Sequence, residues 1–389
     1  MKLYKKHISD LGKVITGKTP RTSILENYGG KIPFLTPSDN LSEKFSPTTS
    51  KTLTKIGLNE VKNCLLPSKS ICVSCIGSDL GKVVLTKKPT VTNQQFNSIV
   101  PNEENDADFI YYLMTVVGKH LNYLSKTSTA VPIINKSTFA NYEIEIPNIK
   151  EQKRIGKILS SLDDKIELNR RINDNLEQQA QALFNYYFID TPELLGEFSV
   201  GSLADAANYV NGLAMQKYRP INGEKGLPVL KIKELGQGRI DSSSDFCSNE
   251  IDSYYKVYDG DVIFSWSGTL MVKIWCGGKC GLNQHLFKVS SKTTPKWFYY
   301  FWTKHHLDNF IRIAKDKAVT MGHIKRGELE KAEVLFPNNS VMKKLDTLMA
   351  PFLDQIIEKE CEIRKLALLR DTLLPKLMSG ELIINDINN

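Results

Sequence analysis

No stretch of this 389-residue chain stays apolar for the roughly 18 residues that a membrane-spanning helix requires, and its start, MKLYKKHISDL, lacks the apolar core of a secretory leader. A cytoplasmic protein with no membrane partner is the expectation. Cysteine is scarce, seven residues at irregular spacing, an odd number that fits reduced thiols better than a disulfide framework. Cys72 and Cys75 form a CxxC and Cys276 and Cys280 lie close together, but zinc needs four converging ligands, and SICVSCIG alternates as a strand does. Buried free thiols are expected there, and no metal site.

Catalytic signatures are missing as well. There is no NPPY or DPPY of an amino-group methyltransferase, no HExxH and no GxSxG. The nearest approach to a nucleotide-binding loop, GSDLGKV at 77–83, is one spacer short and has no Ser or Thr after Lys82. The six histidines show neither triad-like nor metal-like spacing. The chain is therefore expected to have no catalytic residues of its own, which turns attention to recognition.

Charge is present, and its placement is informative. Residues 1–149 carry 18 Lys/Arg against 12 Asp/Glu and residues 191–340 carry 19 against 16, while 150–190 and 341–389 are near balance at 7 against 7 and 7 against 8. A basic excess confined to two blocks is what a polyanion binder would show, although solubility charge gives the same count.

The two blocks are copies. At an offset of 190, Asn93 falls on Asn283, Gln94 on Gln284, Ile134 on Ile324, Pro147 on Pro337 and Lys153 on Lys343; at 191, Ser74, Gly77 and Lys82 fall on Ser265, Gly268 and Lys273. So long a period indicates one duplicated unit and excludes a solenoid. Each copy opens with short alternating runs such as KIPFL and GDVIFSW between Gly, Pro, Asn and Ser turns, which predict strands. It then changes period: Ile155, Leu162, Leu176 and Leu183 recur at heptad spacing with Asn169 in the middle slot, and Leu345, Phe352, Leu366 and Leu373 repeat the pattern. The fold class expected is α+β, with two strand-rich modules separated by two long helices that pair as an antiparallel coiled coil under a pseudo-twofold axis. The boundaries are 1–149, 150–190, 191–340 and 341–389. Asn169 either fixes the register of the seam or faces water.

Asn and Gln can pair with adenine edges, Arg and Lys with guanine, and hydroxyls, lysines and turn amides with phosphates. In the first module the candidates are Lys18, Thr19, Arg21, Ser74, Ser78, Lys82, Asn93, Gln94, Gln95, Lys126, Thr127, Ser128 and Lys136. In the second they are Lys217, Arg219, Ser265, Trp266, Ser267, Lys273, Asn283, Gln284, His285, Lys315, Lys317, Thr320, His323, Lys325 and Arg326. Asn93 and Gln94 could instead hold a turn together, since both recur in the second copy. Positions that differ between copies, Gln95 against His285 or Asp79 against Leu270, are the better candidates for telling bases apart.

The whole chain resembles the specificity subunit of type I restriction-modification systems. The resemblance is carried by ITGKTPRTS with KIPFLTPSDN, by NGLAMQKYRP with GLPVLKIKELGQGRI, by EIPNIKEQKRIGKILSSLDDKIELNRRIN and by LLRDTLLPKLMSGEL. The second copy departs from the pattern at NNSVMKKL, where Val341 and Met342 stand in place of Glu151 and Gln152. The resemblance implies a non-catalytic subunit that reads a split, asymmetric site on double-stranded DNA, one half per module. It also implies two methyltransferase subunits docked along the heptad helices, using S-adenosylmethionine, and up to two restriction subunits that use ATP and Mg, with no cofactor bound by this chain. The rival expectations are a standalone bipartite DNA-binding regulator and a coiled-coil assembly scaffold.

Overall fold

The computed structural model describes residues 1–45, 48–78, 80–125, 133–221, 223–316 and 324–382. Compactness divides the chain into two units, Met1–Lys165 with Leu366–Asn389, and Ile166–Lys365. In the first unit the alternating runs become β1 (Tyr4–His7), β2 (Gly12–Thr16), β3 (Tyr28–Leu35), β4 (Lys51–Leu53), β5 (Leu65–Leu66), β6 (Ile71–Ser74), β7 (Val83–Leu85), β8 (Thr90–Thr92), β9 (Phe96–Pro101) and β10 (Glu143–Ile146). In the second they become β11 (Phe198–Ser202), β12 (Asn208–Asn211), β13 (Leu227–Leu230), β14 (Phe246–Cys247), β15 (Lys256–Val257), β16 (Asp261–Ser265), β17 (Met271–Trp275), β18 (Cys280–Leu282), β19 (Leu286–Ser290) and β20 (Glu333–Pro337).

The duplication is complete at the level of topology. The first ten strands are ordered β1-β10, β2-β9-β6-β7 and β4-β3-β8-β5, and the second ten β11-β20, β12-β19-β16-β17 and β14-β13-β18-β15. Each strand thus has its counterpart ten places on, down to the parallel pairing of β3 with β8 and of β13 with β18. An aromatic-rich helix follows the sheets in both copies, Ala107–Ser125 in one and Lys296–His305 in the other, and its rings fill the main core of its unit.

Two long helices, Ile149–Asn185 of 37 residues and Asn339–Ser379 of 41, stand where the period changes. At 1.5 Å per residue they are about 55 and 60 Å long. In the second unit Asn173 donates to the Ile356 carbonyl at 3.4 Å and to Glu360 Oε1 at 2.8 Å, while Ala180 and Phe184 share a core with Leu345, Met349 and Leu353. Rising numbers on one helix meet falling numbers on the other, so the segments run antiparallel. The first unit shows the same sense: Asp163 meets Arg370, while Ile155 and Leu159 pack with Leu374 and Leu377.

Two expectations change. The seam of the first helix steps through Gln152, Leu159, Ile166, Asn173 and Ala180, all buried, whereas of Ile155, Leu162, Leu176 and Leu183 just Ile155 is buried. On the second helix Leu345 is buried and Phe352, Leu366 and Leu373 are half-buried. The buried arc is wider than the apolar row because each helix packs on a module as well as on its partner, and it includes polar Gln152 and Asn173. For the same reason the compact units do not follow the composition boundaries; each module's core draws side chains from both helices. Asn169 is wholly buried, which removes the water-facing alternative. No helix among the described residues is long and apolar enough to cross a membrane.

Candidate nucleic-acid interface

In the first unit four segments are stitched together at one end of the β2-β9-β6-β7 sheet. The β6–β7 hairpin is tied to the 93–95 turn by Cys75 N donating to the Gln95 carbonyl at 2.7 Å, and to the segment before Lys136 by Ile134 N donating to the Cys75 carbonyl at 2.9 Å. The 17–21 loop joins through Lys18 N to the Thr92 carbonyl at 3.0 Å and through the Thr19 hydroxyl to Gln94 Oε1 at 2.6 Å. A Cβ on Gly17 would come within 2.2 Å of the Asn93 carbonyl oxygen, so glycine is what lets the loop lie against the turn.

The second unit repeats the stitching. Trp266 N donates to the His285 carbonyl at 3.4 Å, Ile324 N to the Trp266 carbonyl at 3.1 Å and Gln284 N to the Leu213 carbonyl at 2.9 Å. Gly212 lies as close to Asn283 as Gly17 does to Asn93, a Cβ there falling 2.3 Å from the Asn283 carbonyl oxygen.

This frame sorts the candidates. Asn93 and Asn283 are buried, and each accepts through Oδ1 the amide two residues on, Gln95 N at 3.1 Å and His285 N at 3.2 Å. Both side chains help to build the turn. Ser74, Ser265 and Ser267 are likewise turned inward. Ser74 Oγ accepts Lys82 N at 3.0 Å, Ser265 Oγ donates to the Ser267 carbonyl at 3.2 Å, and Ser267 Oγ bonds His285 Nδ1 at 2.9 Å, all three serines being buried. Each is used in closing a hairpin, because a β-turn leaves inward hydroxyls the task of satisfying backbone groups.

Lys82 and Lys273 are not equivalent. Ser74 pairs with Lys82 across the first hairpin, whereas Ser265 pairs with Met271 across the second, whose loop is two residues shorter. Lys82 is exposed; Lys273 is half-buried in β17 and donates to the Gly236 carbonyl at 2.8 Å.

Exposed in the first unit are Lys18, Ser78, Gln94 and Lys136. Burial pushes the Cys64 thiol up, and the charges of Lys18 and Lys136 partly oppose that push. Arg21 is exposed but held by Glu60, with Nε at 3.0 Å and Nη2 at 2.8 Å from Oε1; hydrogen bonds from the Arg21 side chain and backbone bring the Glu60 carboxyl down to about 2. Half-buried Gln95 accepts Asn93 Nδ2 at 2.8 Å. In the second unit the half-buried Trp266 indole donates to Asn211 Oδ1 at 3.1 Å, Gln284 Nε2 is 3.3 Å from His285 Nε2, and Lys217, Arg219, Lys315, Lys325 and Arg326 are exposed. Lys126, Thr127, Ser128, Lys317, Thr320, His323 and Asp79 lie outside the described residues.

Two concavities in the second unit add residues that no motif marked. A groove of about 930 Å³ is lined by Asn208, Asn211, Tyr254, Lys288, Lys292 and Arg326 among others, and a cleft of about 330 Å³ by Gln216, Arg219, Lys231, Phe246 and Asn283 among others. Their residues come from separate stretches of chain, so no spacing in the sequence could group them. Lys288 is already paired with Asp261 at 2.9 Å.

All seven cysteines are free thiols, and burial raises Cys72 to about 12 and Cys75 to about 11, so neither is ionised near neutrality. Among the described residues no group of His, Cys, Asp and Glu is arranged to hold a metal ion.

Comparison with known proteins agrees with this architecture. A family model described as a type I restriction modification DNA specificity domain matches twice, over residues 2–178 and 196–369, each match taking in one module and most of the helix that follows it. The specificity subunit of the type I restriction enzyme MjaIX of Methanocaldococcus jannaschii is 28% identical over 98% of this chain and 94% of its own. That of the type I enzyme HindI of Haemophilus influenzae is 38% identical over 43% of this chain and 38% of its own. The crystal structure of a type I restriction-modification S subunit from M. genitalium shares the fold, with a TM-score of 0.58 at 16% identity over 97% of this chain and 96% of that one.

Proposed function

We propose, because this chain belongs to the type I restriction-modification DNA specificity family, that it reads the two halves of a split, asymmetric duplex site, one half with each module. The observation that carries this is the pair of loop clusters, alike in backbone and unlike in exposed side chains. Gly17 and Gly212 serve the same approach and Asn93 and Asn283 the same turn, while half-buried Gln95 takes the place of half-buried His285, exposed Lys82 has Met271 as its counterpart across the hairpin, and the two hairpins differ in length. Identical framing with different outward chemistry suits two readers of different sequences.

The segments 1–149 and 191–340 would be the readers, and 150–190 and 341–389 the spacer. Modules on one face of a duplex must sit near a helical turn apart, about 34–36 Å, or a multiple of it, and helices of this length span that distance. Two methyltransferase subunits would dock on the helices and supply S-adenosylmethionine chemistry; up to two restriction subunits would bring ATP and Mg. The chain itself would recognise DNA in the cytoplasm without binding a cofactor.

The test is selection of the full chain on a randomised duplex library, followed by exchange of residues 1–149 for those of another family member. A split motif is expected, one half of which changes with the exchange. Selection of no split motif, or a change in both halves, would overturn the reading.

A further inference from the structure

The first module is clasped to the long helices by polar groups that recognition does not use. On the first long helix Gln152, Ser160 and Asp163 each engage the stretch around the start of the Ala107–Ser125 helix. Gln152 Oε1 accepts Asp106 N at 3.0 Å and its Nε2 donates to Asn105 Oδ1 at 3.1 Å. Lys44 Nζ, with its side chain 5% exposed, is 2.6 Å from Asp108 Oδ1 and 2.7 Å from Ser160 Oγ. Tyr112 donates its hydroxyl to Asp163 Oδ2 at 2.5 Å, and Arg370 of the second long helix donates to Asp163 Oδ1 at 2.6 Å. Gly156 permits the approach: a Cβ there would fall 2.5 Å from Asp106 Oδ1.

The Tyr112 cluster stands out because it ties three elements at one buried point. Asp163 is 8% exposed and Tyr112 1%. A buried carboxylate that accepts a phenol is directional, and Arg370 on the neighbouring helix holds its other oxygen in place; rotating the module on the helices would break the Tyr112 bond and leave a buried hydroxyl and Asp163 Oδ2 without each other. The second unit is fastened otherwise. The corresponding Tyr300 donates to Glu177 at 2.7 Å, Lys304 approaches the same oxygen at 2.6 Å, and Met342 packs in the apolar core where the first copy has Gln152.

We propose that Tyr112, Asp163 and Arg370 are positioning residues that lock the angle of the first module on its helix segments, and so set how strictly the protein reads the distance between two half-sites. This rests on the bipartite reading and goes beyond it: helix length alone would set a mean gap, whereas the clasp sets its tolerance. A gap change of one base pair moves a half-site by about 3.4 Å and about 35°, which a rigid module cannot follow and a loosened one can.

The test uses the full chain, the split motif it selects, and synthetic duplexes whose gap is longer or shorter by single base pairs, with a duplex carrying one half-site as the control. Tyr112→Phe removes a single hydroxyl, and Asp163→Asn removes the charge. The wild type is expected to discriminate between gaps by about tenfold or more, and Tyr112→Phe by about threefold or less, with affinity for the single half-site changed by less than about twofold. A purely structural role would instead lower affinity on every duplex alike and leave the gap ratio intact, which would overturn the inference. Tyr112→Phe retains the ring and its packing, so it decides the matter even where Asp163→Asn does not fold. A wild type indifferent to the gap would instead remove the bipartite reading itself, a result distinguishable from variants that keep the wild-type ratio.

Discussion

Replacing Lys82 by Ala tests the interface with little risk to the fold. The side chain is exposed, and the backbone on either side is fixed by Ser74, whose Oγ accepts Lys82 N at 3.0 Å and whose N donates to the Lys82 carbonyl at 2.9 Å, so the turn survives truncation. If Lys82 neutralises one phosphate, its loss lowers the slope of log affinity against log salt by about 0.9. Between 50 and 200 mM salt the wild type's advantage over the variant then shrinks about 3.5-fold, on every sequence alike. Fluorescence anisotropy of the full chain on its selected duplex and on a scrambled one, across that salt range, measures both slopes. Lys273→Ala is the internal control: its ammonium is held on the Gly236 carbonyl at 2.8 Å, so the slope should stay at the wild-type value. An unchanged slope for Lys82→Ala, or a loss confined to the selected duplex, would refute the assignment of Lys82 to phosphate.

Other perturbations test the scaffold. Arg364 grips Asp259 with two bonds of 2.7 Å and the Cys276 carbonyl with one of 2.8 Å, so Arg364→Met should destabilise the second unit by about 1–2 kcal/mol after allowance for partial exposure, read from urea unfolding. Burial disfavours the Asp259 carboxylate, but Arg364 and the Gly278 amide outweigh it and hold the carboxyl below its usual range. A lowered folded value means that the contribution is fully present above the unfolded value of about 3.9 and is lost as pH falls through the folded one. The gap between wild type and variant should therefore be widest near neutrality and close in acid; a gap that widened in acid would contradict the assignment. Neither Oδ1 nor Nδ2 of fully buried Asn169 has a hydrogen-bond partner among the described residues, so Asn169→Leu should raise stability by about 1–3 kcal/mol. A less stable variant would show that the amide is satisfied in solution.

Much of this was legible from residue order alone. The change from alternating to heptad period marked both long helices, and paired motifs such as NQQF and NQHLF revealed the duplication that the ten-and-ten strand topology displays in full. The helix frame was not legible. A buried helix face is usually read from leucines, but here Gln152 and Asn173 are buried because each has a partner in reach, Asn105 and Asp106 of the module for one and Glu360 of the other helix for the other. Nor could sequence separate readers from frame. Ser74 and Ser78 are both turn serines beside a lysine, and what distinguishes them is that one side chain points into the hairpin and the other into solvent. Matching by constant offset also fails across a loop of altered length, which is how Lys82 came to be equated with Lys273.

The division of labour within the repeat follows from that distinction. Residues whose side chains complete backbone hydrogen bonds are the same in both copies, since a turn admits few alternatives: Gly17 and Gly212 at the close approach, Asn93 and Asn283 in the turn, Ser74 and Ser265 at the hairpin base. Some of the side chains beside them diverge, Cys75 against Trp266 and Gln95 against His285, while Gln94 and Gln284 do not. The anchors to the helices diverge as well, with buried Gln152 against half-buried Met342 and buried Asp163 against buried Leu353. If the helices were passive rods, the same anchor would serve both modules. The first is held by polar bonds at Gln152, Ser160 and Asp163, and the second by Tyr300 and Lys304 on Glu177, Trp297 on Asp346 and Arg364 on Asp259, so the two attachments place their directional bonds at different points. The first module is accordingly where loss of a single hydroxyl should be felt in spacing before it is felt in affinity.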